Sequence, residues 1–234
     1  MTVRKIEDTA YFYINETLLH SMPFKPFYGN RLGFHTAAHS TINVDYIRVS
    51  YLDNKLIREI LSAKKTKLYA DEFFDNSNEW SVGSKNSKGK VSRGNYEYEG
   101  THDESKASHQ VISIDTNRDF EIETLMKIAK GDKLKGNGLL WGIGKKPYRD
   151  YGFMFNNNGS YEINTYEKTY NRYVDWTKSK FVKKNAYNKL SVRKVDDTMY
   201  FYLNDHFLFS MPFKPFYGDR IGFQVAGHSL IRVD

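Results

Sequence analysis

The sequence predicts an all-β protein, a sandwich or barrel of short antiparallel strands. Three observations carry that expectation. Apolar and polar residues alternate in short runs separated by turn chemistry every eight to twelve residues. Aromatic residues make up 16% of the 234 residues, with 18 Tyr and 16 Phe, and rings of this kind fit a pleated, half-buried surface better than a tight helix interface. Finally, residues 2–45 and 191–234 are two versions of one segment. About 28 of the 44 aligned pairs are identical, which marks a repeated structural unit.

Each predicted element follows from its residues. Tyr11-Phe12-Tyr13-Ile14 and Leu18-Leu19 flank Asn15-Glu16 and read as a hairpin. Pro23 and Pro26 interrupt any ladder beyond it. Ile42–Val49 alternates over eight residues, the pattern of a strand with one buried face. Asp53-Asn54-Lys55 caps the one expected helix, with Leu56, Ile57, Ile60 and Leu61 on a shared face. Strand signals resume at Asn95–Glu99, Gln110–Ile114, Phe120–Met126 and Gly138–Gly144. Tyr151–Phe155 and Tyr161–Tyr166 are joined by Asn156-Asn157-Asn158-Gly159, a hairpin turn. Lys178–Lys184 alternates basic and apolar residues and reads as an exposed strand.

The bulk numbers exclude several classes. There is no cysteine, so neither a disulfide framework nor a thiolate metal site is available. No apolar run approaches the ~18 residues of a membrane-spanning helix. The net charge of +7 is spread over loops among acidic residues, as on a solvated basic surface, and nucleic acid is not an expected partner.

A resemblance sharpens the fold. Asp71-Glu72-Phe73-Phe74-Asp75-Asn76 with Trp80, Asp119–Glu123, Gly138–Gly142, Tyr151-Gly152-Phe153, Asn188–Lys194, Tyr200–Asn204 and Gly222-Phe223 together resemble a concanavalin A-like jelly roll of the laminin-G type. Much of the pattern is similar to the bacterial keto-disaccharide hydrolase-like family. The resemblance implies a jelly-roll sandwich with one short linker helix. Residues 1–52 would be the C-terminal part of a first repeat, residues 53–65 the linker, and residues 66–234 a second repeat lacking its last strand. Both ends then cut through a unit, as expected of part of a longer tandem array. A rival reading has Tyr46–Tyr51 supply the missing strand to residues 66–234, which invites strand exchange between molecules.

The resemblance also implies glycan binding, protein binding or glycoside hydrolysis. Laminarinase-type jelly rolls place their carboxylates on one strand as Glu-x-Asp-x-x-Glu. Here Glu121 and Glu123 share a strand face, but Met126 stands where the third acid would be. Alternation alone produces such a pair, so Glu121 and Glu123 are expected to be a polar sheet face. Trp141, Tyr151, Tyr166 and Trp176, with Asn157 in the hairpin loop, are the candidate groove, because flat rings stack on sugar faces while amides meet hydroxyls. Each has an ordinary alternative, the rings as core and the Asn-rich loop as turn chemistry. The seven histidines do not cluster. No cofactor is expected, and calcium at the loop rim would fall to Asp75 and Asp150. The expected function is a non-catalytic recognition or adhesion module, with glycan as first ligand and a protein surface or neighbouring repeats as further partners. The alternative is a glycoside-acting hydrolase.

Overall fold

Alternation becomes strand in the computed structural model, which describes residues 2–6, 9–14, 17–26 and 66–234. The chain divides into two units, residues 1–65 and 66–234. The expected linker helix at 53–65 and the strand at 42–49 lie outside the described residues. Among those described there is no helix, and so none long and apolar enough to cross a membrane.

In the first unit, β1 (Thr2–Ile6), β2 (Thr9–Ile14) and β3 (Thr17–Pro23) form an antiparallel meander in the order β1-β2-β3. The predicted hairpin is present as β2 and β3, with Ile14 opposite Thr17.

The second unit is a two-sheet jelly-roll sandwich. Its strands are β4 (Gly83–Ser84), β5 (Ser87–Ser92), β6 (Asn95–Gly100), β7 (Lys106–Val111), β8 (Phe120–Lys130), β9 (Asn137–Lys145) and β10 (Tyr148–Asn156). They continue as β11 (Ser160–Tyr166), β12 (Tyr170–Lys178), β13 (Asn188–Val195), β14 (Thr198–Leu203), β15 (His206–Pro212), β16 (Arg220–Val225) and β17 (Leu230–Val233). One sheet has the order β12-β11-β10-β9-β16-β7, the other β15-β14-β13-β8-β17-β6-β5-β4. Every strand pairing is antiparallel.

The core lies between the sheets and is largely aromatic. Trp141 and Phe153 of the six-stranded sheet meet Phe201 of the eight-stranded sheet at 5.9 and 5.8 Å between ring centres. Trp80 stacks on Phe223 at 5.2 Å. These offset and edge-on pairs add to the area that the rings bury. The crossover from β15 to β16 carries Pro212-Phe213-Lys214-Pro215-Phe216-Tyr217 over the end of this core. Phe120 meets both Phe213 and Phe216, and the Tyr151 hydroxyl donates to the Pro215 carbonyl at 3.0 Å.

Over the described residues the duplicated segment keeps one strand register in both copies. Thr2 pairs with Tyr13 and Ile6 with Thr9, as Ser191 pairs with Tyr202 and Val195 with Thr198. The next pairing slips between Phe12 and Tyr13, and again between Phe201 and Tyr202. Two cation–ring contacts also recur. Arg4 lies over Tyr13 and Lys5 over Phe24, as Arg193 lies over Tyr202 and Lys194 over Phe213.

One expected strand is corrected. Lys178–Lys184 leaves β12 at Lys178 and becomes a loop. Val182 is pulled into the core, and buried side-chain amides hold the loop backbone. Asn188 accepts from the Lys183 N–H and donates to the carbonyls of Lys183 and Ala186, while Asn204 donates to the Phe181 carbonyl. Buried amides that satisfy backbone groups in this way out-compete a weak alternating pattern.

Phe201→Ala removes the ring that joins the two sheets and is expected to cost about 3–5 kcal/mol in denaturant unfolding. Phe74, an exposed ring, should tolerate alanine within about 0.5 kcal/mol. Equal costs at the two positions would contradict this account of the core.

Candidate functional site

Strand parity selects the site. Tyr151, Phe153 and Phe155 of β10 and Tyr161 and Ile163 of β11 enter the core. Their neighbours Asp150, Gly152, Met154, Glu162, Asn164 and Tyr166 therefore project from the opposite, outer face of the six-stranded sheet. Register extends this face across all six strands. His109, Gly222, Leu140, Gly152, Asn164 and Arg172 are successive cross-strand partners. Two glycines in that row keep the floor low. A Cβ on Gly152 would sit 2.5 Å from the Asn164 Oδ1.

The floor is part apolar, part charged. Leu140, Ile143 and Met154 form a small cluster that packs with Ala107 and Trp176. Beside it stands Glu162, whose 0% exposure demands full compensation of its carboxylate. Asn164 Nδ2 donates to Glu162 Oε1 at 2.8 Å, the Tyr170 hydroxyl donates to the same oxygen, and Arg172 Nε donates to Oε2 at 2.6 Å. The Arg172 guanidinium also lies over the Tyr170 ring at 5.1 Å. Burial, and then the bond to Glu162, hold the Tyr170 hydroxyl well above the usual phenol range. Tyr170 and Arg172 are both half-exposed, so this ordered network reaches solvent.

An aromatic pair closes one end. Tyr148 and Tyr166 are 6.1 Å apart between ring centres, and Tyr166 keeps 41% of its surface exposed. Asp150 lies beneath them, its carboxyl raised above the usual range by burial against the bond from Tyr148. At the far side of the sheet, burial lowers the His109 imidazole below its ordinary value, and the charges of Arg220 and Lys145 add to the effect.

The residues singled out from sequence divide between this face, the core and the loops. Tyr166 lies on the outer face, and Trp176 borders it with its ring against Gly136. Trp141 and Tyr151 are core residues, at 1% and 3% exposure. They stack on each other, and Tyr151 stacks on Tyr217, so neither ring offers a face to a ligand. Asn157 ties the β10–β11 turn to β8 and to the loop before β13, donating to the Ile128 carbonyl and accepting from the Asn185 N–H. Glu121 and Glu123 are on the other sheet, 2.7 Å from Arg193 and 3.9 Å from Lys189. The Ser77 hydroxyl, and then the Ser77 N–H at 2.9 Å, hold the Asp75 carboxyl below the usual range. Among the described residues no group of three or more His, Asp or Glu is placed to hold a metal ion.

Sequence reasoning missed Glu162, Asn164, Tyr170 and Arg172. A signal was present: Glu162 and Asn164 alternate with Tyr161, Ile163 and Thr165 along one strand. The run Glu162-x-Asn164-x-x-Glu167 even has the spacing sought at Glu121. Parity separates its ends, however. Glu167 turns to the other side of β11, where it accepts from the Tyr217 hydroxyl at 2.5 Å.

No protein-family model matches this sequence, and no curated protein does. Several solved structures are similar in shape. The carbohydrate-binding module CBM66 from Bacillus subtilis is 15% identical, with a TM-score of 0.42 over 65% of this chain and 86% of that one. A β-glucanase from Bacillus licheniformis is 10% identical, with a TM-score of 0.46 over 62% and 78%. Sheep galectin-11 is 8% identical, with a TM-score of 0.38 over 56% and 97%. At these values the likenesses transfer no function to this chain.

The lowered imidazole gives a pH test. The unfolded chain protonates His109 near pH 6.5, whereas the folded state keeps it neutral to lower pH. The unfolded state then binds more protons, so this contribution is present above about pH 6.5 and is lost as pH falls. His109→Gln should shrink the difference in unfolding free energy between pH 7 and pH 5. An unchanged difference would contradict the burial of the ring in its neutral form.

Proposed function

We propose that this chain is a non-catalytic recognition module that binds a glycan on the outer face of the six-stranded sheet. One observation carries the reading: the Glu162–Asn164–Tyr170–Arg172 network, fixed by burial at its base and open at its edge, bordered by exposed Tyr148 and Tyr166 rings. Sugars present C–H faces to rings and hydroxyls to fixed donors and acceptors. Groups already held in place lose little further freedom on binding.

Carboxylate engagement supports binding over hydrolysis. Glycosidases use two carboxyls about 5–9.5 Å apart. Asp150, opposite Tyr166 and four residues from Glu162, is too far, with about 14 Å between the two backbones; Asp175 is nearer, but it and Glu162 flank the same Arg172 Nε, at 3.4 and 2.6 Å, which ties both to that guanidinium. Both Glu162 oxygens are already engaged, one by Arg172 and the other by Asn164 and Tyr170.

A glycan array probed with the whole chain, followed by calorimetry on each hit, tests the proposal. The expected result is binding without turnover, weakened about threefold to tenfold by Tyr166→Ala or Tyr170→Ala with unfolding midpoints nearly unchanged. Absence of any glycan ligand, or affinity indifferent to both substitutions, would overturn it. Hydrolysis abolished by Glu162→Gln would replace it with the hydrolase reading.

A further inference from the structure

Lysines gather at one end of the second unit. Three segments meet there: the β8–β9 loop (residues 131–136), the β10–β11 turn (residues 156–159) and the loop that follows β12 (residues 178–185). Hydrogen bonds lock them together. The Asn158 N–H donates to the Lys133 carbonyl at 2.9 Å, and the Ser179 N–H to the Gly159 carbonyl at 3.0 Å. The Asn185 N–H donates to the Asn157 side chain at 3.0 Å. Val182 is in the core with Phe181 packed against it, and the flanking Lys180, Lys183 and Lys184 are exposed.

Between these segments lies a cleft of about 570 Å³, lined by Lys178, Lys180, Lys184, Asn158, Gly159 and Ser179. Lys178 Nζ donates to the Asn158 carbonyl at 2.5 Å. The Lys184 stem lies along Gly159, where a Cβ would sit 2.9 Å from its Cε. Countercharge is lacking. Arg172, Arg193 and Arg232 pair with Glu162, Glu121 and Glu97. Among the described residues no carboxylate pairs with Lys133, Lys178, Lys183 or Lys184. Asp132, the one acid in the three segments, turns its carboxylate onto the Leu134 N–H at 2.8 Å. A cleft lined by a single sign of charge focuses the field and concentrates anions.

Volume and donors describe the occupant. About 570 Å³ falls in the range of sites for organic ligands, more than a bare ion needs. The lining residues include no arginine, the side chain suited to phosphate and nucleic acid. The Phe181 ring beside them is engaged by His206 at 3.9 Å and by Lys180 at 5.1 Å, which leaves no free platform for a base. We propose that this cleft binds the acidic unit of a charged polysaccharide, a sugar ring carrying a sulfate or carboxylate group. The ammonium groups of Lys178 and Lys184 meet the anionic group, while the Asn158 amide and the Ser179 hydroxyl meet ring hydroxyls. The inference does not rest on the reading of the outer sheet face.

Fluorescence anisotropy on the whole chain tests it, with labelled dextran sulfate, oligogalacturonate and neutral dextran as probes. Saturable binding of one or both acidic probes is expected, with none of neutral dextran; the acidic probe that binds names the anionic group. Lys184→Gln, which gives up no hydrogen bond among the described residues, should weaken binding about fivefold, and Lys178→Gln with Lys184→Gln about tenfold or more. Lys88→Gln with Lys90→Gln removes the same charge from exposed positions on β5 and should leave affinity nearly unchanged. Tyr166→Ala should also leave it unchanged, so failure here and failure on the outer face are told apart. Three results would overturn the inference: no saturable binding of either acidic probe, an equal loss from the Lys88 and Lys90 substitutions, or tighter binding of polyglutamate or a single-stranded oligonucleotide than of either sugar polymer.

Discussion

The two-residue period of an extended chain governs this molecule. Each strand offers only two faces, and in the second unit one of them is committed to the aromatic seam between the sheets. Once Tyr151, Phe153, Tyr161 and Ile163 are assigned to that seam, Asp150, Glu162, Asn164 and Tyr166 have no other direction to point. Position on the outer face is thus a by-product of core formation. A one-residue slip of β11 would send Glu162 into the hydrocarbon interior and Ile163 to solvent, so the register is strongly specified. The chemistry of the outer face inherits the rigidity of the core.

That constraint explains how a charged residue can be fully buried on a face that meets water. Glu162 is covered by its own partners rather than by the opposite sheet. Arg172 and Tyr170, from the adjacent strand, lie across it and satisfy both oxygens, while Asn164 fills in from the same strand. A buried carboxylate without such partners would be costly. With them it orients a tyrosine and an arginine that are still half-exposed. Tyr148, Tyr166 and Tyr170 provide the rings that a polar network lacks.

What the sequence revealed follows from the same period. Alternation and turn chemistry were enough to read the β2–β3 and β10–β11 hairpins and the all-β class, because these depend on neighbours along the chain. The candidate site was legible only in part. Tyr166 and Trp176 were read as groove residues, but Trp141 and Tyr151 were grouped with them, since an aromatic residue looks the same in sequence whether it faces the seam or the solvent. Parity relative to the core, which needs the partner strands, separates them. Lys178–Lys184 misled for a different reason: alternation favours a strand there, but the amides of Asn188 and Asn204 bind the backbone of a loop. Glu162 escaped notice because its partners Tyr170 and Arg172 come from the next strand, and their register is set by irregular pairing between β11 and β12.

The central claim is that one sheet face, chosen by parity, is the recognition surface. The most direct measurement is an amide chemical-shift map of the whole chain titrated with an oligosaccharide that it binds. The account predicts that the largest changes fall on β10, β11 and β12 around Gly152, Glu162, Asn164 and Arg172, with β8, β13 and β14 quiet. Changes centred on the eight-stranded sheet or on the Asn156–Gly159 turn alone would contradict it.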